Sequence, residues 1–402
     1  MDYNLPMIGK RADYDLIVIG SGRSGREEAL AAAEDGRRVA IVEAGLWGGN
    51  EINYGGIPFG VLLETSQAMR RVEDDLAVMS DVMKVRYDAL IARAADARAA
   101  AAEASLAEVQ DTGVEIVEGF AKFISTHEIN VNEKVMRAKT FFIATGKGLR
   151  DNKIAGVEEA GCLDIADVVS LKRMPRTVFV VGAGTAGCEI AQYFSGIGSR
   201  VLIADIAGRL LPDEEEEAGQ LMDQVFNNER IVVLTQTRVT SVERDSVSRR
   251  VVFMQGGVER AVRVDEIVLA TGRVLEIHDL GLERAGVEVG RKAEITDKEG
   301  RTSQKHIFAA SGAKRFVTRT LPAIVRLGMS EDECLKADER VTARIEKFNG
   351  GRGFVKTLVD SKGMLCGATF VGDKSSMLDY ALANPKDPAV RALLDDSVSV
   401  LN

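Results

Sequence analysis

The chain has 402 residues, enough for two or three domains with well-buried cores, and its 46% hydrophobic and 28% charged content is ordinary for a soluble globular protein. A net charge of −9 argues against a general nucleic-acid binder, which needs a basic face. No apolar run reaches the length of a bilayer span, and the opening MDYNLPMIGKRADYD holds no apolar signal core, so no membrane partner and a cytoplasmic location are expected.

The first predicted elements are a strand, a glycine turn, a helix and a second strand. Leu16–Ile19 is an apolar run that leads into Gly20-Ser21-Gly22-Arg23-Ser24-Gly25; an alanine-rich helix follows, then Val39–Glu43. Glycines in this setting let the backbone approach a pyrophosphate at a helix N-terminus, where free N–H groups and the helix dipole favour anions. Glu43, 23 residues after Gly20, stands where a carboxylate accepts hydrogen bonds from a ribose diol. Arg23 either adds a phosphate contact or is solvated.

A stretch GGNEINYGGIPFG spans Gly48–Gly60, and a long helical region, about residues 60–110, comes after it as an amphipathic scaffold. Residues 114–145 are β-rich, with Val114–Val117, Ala121–Phe123 and Ile129–Val131, and end in Phe141-Phe142-Ile143-Ala144-Thr145-Gly146. A second unit of the nucleotide-binding kind begins after Pro175. Its strand is Thr177–Val181, its turn Gly182-Ala183-Gly184-Thr185-Ala186-Gly187, and its next strand ends at Asp205, again 23 residues after the first glycine. An acid there bonds a free 2′-hydroxyl and repels a 2′-phosphate, which favours NAD over NADP. The acidic run Asp213–Glu217 reads as a solvated helix start. Further strands are expected at Ile231–Leu234, Val239–Val242 and Val251–Met254, and a second Ala-Thr-Gly closes the run Ile267–Gly272. Cys162, Cys188, Cys334 and Cys366 form no CxxC or CxxxxC pair, and the histidines are His127, His278 and His306, so no metal site is expected.

The Gly48–Gly60 stretch resembles the active-site segment of the flavoprotein disulfide reductases, the family of dihydrolipoamide dehydrogenase and mercuric reductase, which reads roughly GG-T-C-L-N-x-G-C-I-P-S-K. Gly48, Gly49, Asn53, Gly55, Ile57 and Pro58 are in register, whereas Glu51 and Gly56 replace the two cysteines and Phe59-Gly60 the final Ser-Lys. The resemblance runs from about Tyr14 to Gly372. It implies an α/β chain with two Rossmann-like three-layer domains for FAD and NAD(P), plus a shortened C-terminal α+β interface domain. The implied boundaries are 1–150 and 274–315 for the FAD-type domain, 151–273 for the NAD domain and 316–402 for the interface domain. It carries cofactor contacts onto Gly20, Ser21, Gly22, Ser24, Gly25, Glu43, Gly49, Ala121, Thr145, Gly146, Gly182, Gly184, Thr185, Ala186, Gly187, Asp205 and Gly272. It further implies a homodimer acting on a small-molecule substrate.

The departures fall together. In the register of His306–Ala313, Gly312 replaces the aspartate that holds the flavin's ribityl chain, and Ser311 the glycine before it. The C-terminal end, Leu393–Val398, has no histidine to serve as acid–base. The family pairs the segment's lysine with a glutamate on the NAD-domain helix; Glu189 keeps the glutamate, but position 60 is glycine. A buried Glu189 without a cation would favour its protonated form and could exchange a proton; in an opened site it would be hydrated. A relay through a disulfide needs a thiolate that Glu51 and Gly56 cannot provide. Three readings remain. One is an NAD-dependent flavin oxidoreductase with a non-disulfide acceptor. Another is an FAD-free NAD enzyme with a rebuilt flavin cavity, using Glu51, Tyr54 and Glu189 with Trp47 and Asn50. The last is a nucleotide-binding pseudoenzyme or partner protein. In each, the Gly48–Gly60 stretch is a retained lid and Glu51 its one new charge.

Overall fold

The protein is described from a computed structural model, which covers residues 12–76, 86–150, 153–290, 295–296, 300–310, 315–373, 380, 384, 387 and 389–390. Ser311, Gly312 and Leu393–Val398, singled out above, lie outside the described residues. By internal packing the chain divides into two units. The first is Met1–Phe59, Arg93–Gly148 and Arg273–Gly312; the second is Gly60–Ala92, Leu149–Gly272 and Ala313–Asn402.

The first unit is built on a seven-stranded sheet. Its path runs Glu115–Glu118, Val39–Glu43, Tyr14–Ile19, Lys134–Ile143, Glu128–Val131, Ala121–Ser125, and Ile307–Ala309 adds beside Lys134–Ile143. Tyr14–Ile19 is parallel to both neighbours, with Ile17 opposite Ala40 on one side and Phe141 on the other. Such strands are covered on both faces, so they read as continuous apolar runs rather than alternating ones. Leu16, Val18 and Ile41 pack against Ala29 and Ala32 of the helix Arg23–Glu34 and against Val109. Ile17, Phe123, Phe141 and Ile143 fill the other face.

The second unit holds a four-stranded parallel sheet in the order Val232–Leu234, Arg200–Ala204, Thr177–Val181, Glu266–Leu269. A three-stranded antiparallel sheet, Thr237–Arg244, Arg249–Gln255 and Val258–Val264, covers its core. A five-stranded antiparallel sheet runs Arg315–Thr318, Ala323–Gly328, Leu365–Gly372, Gly353–Asp360, Val341–Phe348. The expected long helical region is two helices, Ile57–Leu76 and Tyr87–Gln110, with residues 77–85 outside the description. No helix among the described residues is long and apolar enough to cross a membrane.

The acidic run is a correction. Glu214 and Glu215 are only 5% and 3% exposed and Glu217 is half-buried, whereas Asp213 and Glu216 are exposed, so the start of the helix Glu216–Asn228 is docked on one side and solvated on the other. Lys356 Nζ lies 2.8 Å from Glu215, 2.8 Å from Glu217 and 2.6 Å from Glu331. Arg326 bonds Glu214 at 2.9 Å and Glu333 at 2.8 Å, and its guanidinium stands over the Phe316 ring. Burial alone would push the Lys356 ammonium down; the hydrogen bonds it donates to Glu215, Glu217 and Glu331 more than offset that and hold it above the ordinary lysine range. Acids that a sequence shows only as a charge run are here the counter-charges of two buried cations on the antiparallel sheet.

Candidate active site

In the first unit the chain turns at Gly20, whose φ of +105° suits glycine, and where a Cβ would overlap the Ala144 carbonyl. A Cβ at Gly25 would likewise overlap the Gly20 carbonyl, so helix and strand meet at van der Waals limits. Gly22 caps the helix in extended geometry, and Ser24 is exposed on its first turn. The Glu43 carboxylate accepts from Ser21 N at 2.8 Å, Ser21 Oγ at 2.6 Å and Gly45 N at 2.7 Å. Ser21 Oγ in turn accepts from Gly48 N at 2.8 Å, and a Cβ on Gly49 would come within 2.8 Å of Gly22 Cα. Gly20–Gly25, Glu43, Gly49, Thr145 and Gly146 are therefore gathered at one end of the sheet. Ala121 is not among them: it is buried in the core on a strand three places away in the sheet order.

The second unit repeats this geometry. Gly182 has φ +105°, a Cβ there would overlap the Ala270 carbonyl, and one at Gly187 the Gly182 carbonyl. Gly184 caps the helix Thr185–Gly196, with Ala186 exposed on its first turn. Asp205 accepts from Ala183 N at 2.6 Å and Ala207 N at 2.7 Å, as Glu43 does in the first unit. Beside each turn sits a buried threonine hydroxyl with no partner among the described residues, Thr145 in one unit and Thr271, followed by exposed Gly272, in the other. A buried hydroxyl without a partner is unfavourable until a ligand or water bonds it. Open glycine cradles, an acid at the next strand end and an orphaned hydroxyl fit a dinucleotide in both places.

The Gly48–Gly60 stretch keeps its frame through Asn53. This buried side chain donates to the carbonyls of Trp47 at 2.9 Å and Gly49 at 3.0 Å and accepts from Arg98 at 3.4 Å. Trp47 is anchored by its indole N–H on Ser105 Oγ at 3.0 Å, and Asn50 donates to the Lys147 carbonyl at 3.2 Å, so both serve the unit's own packing. The short helix Gly49–Asn53 ends at Tyr54. At Gly56 a Cβ would overlap the Glu51 carbonyl, leaving no room for a second side chain facing position 51. Glu51 is not an isolated new charge: Arg23 Nη1 is 3.5 Å and Arg26 Nη2 3.6 Å from its carboxylate. Arg23 also bonds Glu27 at 2.8 Å, so the arginine of the turn is spoken for by carboxylates. All four cysteines are free, and burial raises every thiol, Cys162 to about 11, which suppresses the thiolate that disulfide exchange requires.

Glu189 departs from both sequence alternatives, being neither unpaired nor hydrated. It is 4% exposed and salt-bridged to Arg319, whose Nη2 is 3.0 Å from Oε2 and whose backbone N–H donates to Oε1 at 2.7 Å. A Cβ on Gly60 would meet Arg319 Nη1 at 3.4 Å. The missing lysine has thus been answered from 259 positions along the chain (position 60 to position 319), a compensation that no local motif signals. Glu51 and Tyr54 belong to the first unit and Glu189 to the second.

Two Rossmann-type glycine turns on one chain define a two-cradle α/β protein. The model of the pyridine nucleotide-disulphide oxidoreductases matches residues 14–323, and the chain belongs to that family. It is 28% identical over 312 residues to a mercuric reductase of Staphylococcus aureus, covering 74% of this chain and 55% of that protein. A mercuric reductase of Streptomyces lividans is 30% identical over 374 residues, with 82% and 79% covered. A dihydrolipoyl dehydrogenase of Thermus scotoductus is 26% identical over 417 residues, with 91% and 89% covered. The chain spans about half the length of the Staphylococcus and Bacillus mercuric reductases it matches. Among solved structures, the HOCl-induced flavoprotein disulfide reductase RclA of Escherichia coli superposes with a TM-score of 0.77 at 21% identity, covering 96% of both chains.

Proposed function

We propose that this chain is an NADH-dependent FAD oxidoreductase that passes electrons from flavin directly to a small non-disulfide acceptor. The observation that carries this is a contrast: both dinucleotide cradles are intact, while the backbone at Gly56 closes onto Glu51 where a disulfide pair would stand. FAD, when bound, supplies hydride acceptance from NADH and the onward release of electrons. The residues proposed to hold it are Gly20–Gly25, Glu43, Gly49, Thr145 and Gly146, with Thr145 Oγ1 a buried hydroxyl that has no partner among the described residues. Gly182–Gly187, Asp205 and Gly272 would hold NADH, and the Asp205 carboxylate favours it over NADPH by repelling a 2′-phosphate. Glu51 and Tyr54 offer an acceptor a carboxylate and a phenol on the first unit. By analogy with its relatives the chain acts as a homodimer.

The test is the absorption spectrum of the purified protein under anaerobic conditions. Flavin bands that bleach on addition of NADH, and return with an acceptor in the absence of any thiol, are the expected result. A colourless protein that cannot be reconstituted with FAD would sink the proposal.

A further inference from the structure

The helix Thr185–Gly196 carries Thr185, Glu189 and Gln192 at helical spacing, so they share one face. All three are tied to a single segment, Thr318–Leu321. Thr185 Oγ1 lies 2.9 Å from Thr318 Oγ1, and Glu189 accepts from Arg319 N at 2.7 Å. Gln192 accepts from Leu321 N at 2.7 Å and donates to the Leu321 carbonyl at 2.8 Å. From the helix Ile57–Leu76, Gln67 donates to the Arg319 carbonyl at 2.7 Å. The segment is a strap laced to the helix whose first turn forms the second cradle. This lacing fixes where the Arg319 guanidinium stands: against buried Glu189, with its side chain still 37% exposed.

We propose that Arg319 is a positioning residue of the NAD(H) site, balancing the charge of Glu189 beside the nicotinamide end of the dinucleotide; this rests on reading the second cradle as an NAD(H) site. Asp205 fixes the adenosine ribose and the glycine turn takes the pyrophosphate, so the other half of the molecule extends past the first helical turn, where Thr185 and the strap stand. The nicotinamide ring is cationic in NAD⁺ and neutral in NADH. A lone carboxylate there would favour NAD⁺ and hold back the reduced form; a paired one does not discriminate. A Cβ at position 60 would touch the Arg319 guanidinium at 3.4 Å, so a cation carried from position 60 would share the place that Arg319 takes beside Glu189.

Calorimetric titrations of NADH into protein reduced beforehand and of NAD⁺ into oxidised protein, so that no hydride passes to or from flavin during either, test this on the full-length protein. Arg319→Met is expected to shift the ratio of the two Kd values toward NAD⁺ by about tenfold or more, the effect of one unscreened charge at short range. Glu189→Gln is expected to shift it the other way. Arg319→Lys and the double variant Gly60→Lys/Arg319→Met should both restore the wild-type ratio. Equal loss of affinity for both forms, or an unmoved ratio in Glu189→Gln, would mean a purely structural pair and overturns the inference. A wild-type protein that binds neither form overturns the NAD(H) reading itself, and the inference with it. Should Arg319→Met not fold, Glu189→Gln and the double variant decide the matter.

Discussion

The two glycine turns are near copies, and what differs is the burial of the charges around them. In both, a glycine at φ +105° presses on an Ala-Thr-Gly carbonyl and an acid at the next strand end grips the turn's second N–H. In the first unit the helix then presents Arg23 and Arg26 to Glu51, whose side chain is 37% exposed and whose pairs are 3.5 and 3.6 Å long. In the second it presents Glu189, almost fully buried and held at 3.0 Å by Arg319. The frame is common because the same backbone sterics dictate it, a positive-φ glycine packed against a neighbouring carbonyl in each turn. The charges diverge because solvent makes an exposed pair nearly interchangeable, while a buried carboxylate without its cation is strongly unfavourable.

The largest effect that would sharpen this comparison comes from the turns. Gly20→Val and Gly182→Val each force a side chain into a carbonyl at positive φ, at a cost expected to exceed about 3 kcal/mol locally. Gly182→Val should abolish NADH binding and leave bound flavin in place, whereas Gly20→Val should lose the flavin. Spectra and NADH titrations of the pair check this; identical losses in both variants would break the assignment of one nucleotide to each unit.

Next comes the buried network of the second unit. Lys356→Met strands the carboxylates of Glu215, Glu217 and Glu331 and is expected to cost about 3–5 kcal/mol, read as a lowered midpoint in urea. Because the folded protein holds the Lys356 ammonium above its ordinary range, its contribution is fully present below the unfolded lysine value of about 10.4. It is lost as pH rises through the higher folded value. The difference between wild type and Lys356→Met should therefore stay level from neutral pH to about 10 and shrink above it. A difference that already shrinks between pH 6 and 9 would show that another group carries the effect.

The smallest effect should be at Glu51. Glu51→Ala removes two long, partly exposed ion pairs and is expected to change stability by no more than about 1 kcal/mol. NADH affinity should be unchanged. Turnover that also survives would remove Glu51 from the reacting centre and leave the first unit's charges as surface decoration, the sharpest contrast with Glu189. Abolished turnover with intact NADH binding would instead favour an enzyme that has repurposed its flavin cavity around this carboxylate.

Much of the frame could be read from residues near one another in the chain. The two strand–turn–helix signatures, the acids Glu43 and Asp205, and the loss of both cysteines were all visible in the sequence, because backbone sterics and N–H geometry operate over a few residues. The pairing state of the site was not. Asp213–Glu217 looks like any solvated acidic helix start until Lys356 and Arg326 are brought against it. Position 60 looks like a site stripped of its cation until Arg319 is brought to Glu189. Gly56 looks like a simple loss of sulfur until the Glu51 carbonyl is found occupying the space. By itself the sequence determined where the chain turns and where the two glycine cradles with their acids form. The tertiary structure decided which charges are neutralised and by whom, because Coulomb pairing depends on distance and burial, and neither is written in the order of the residues.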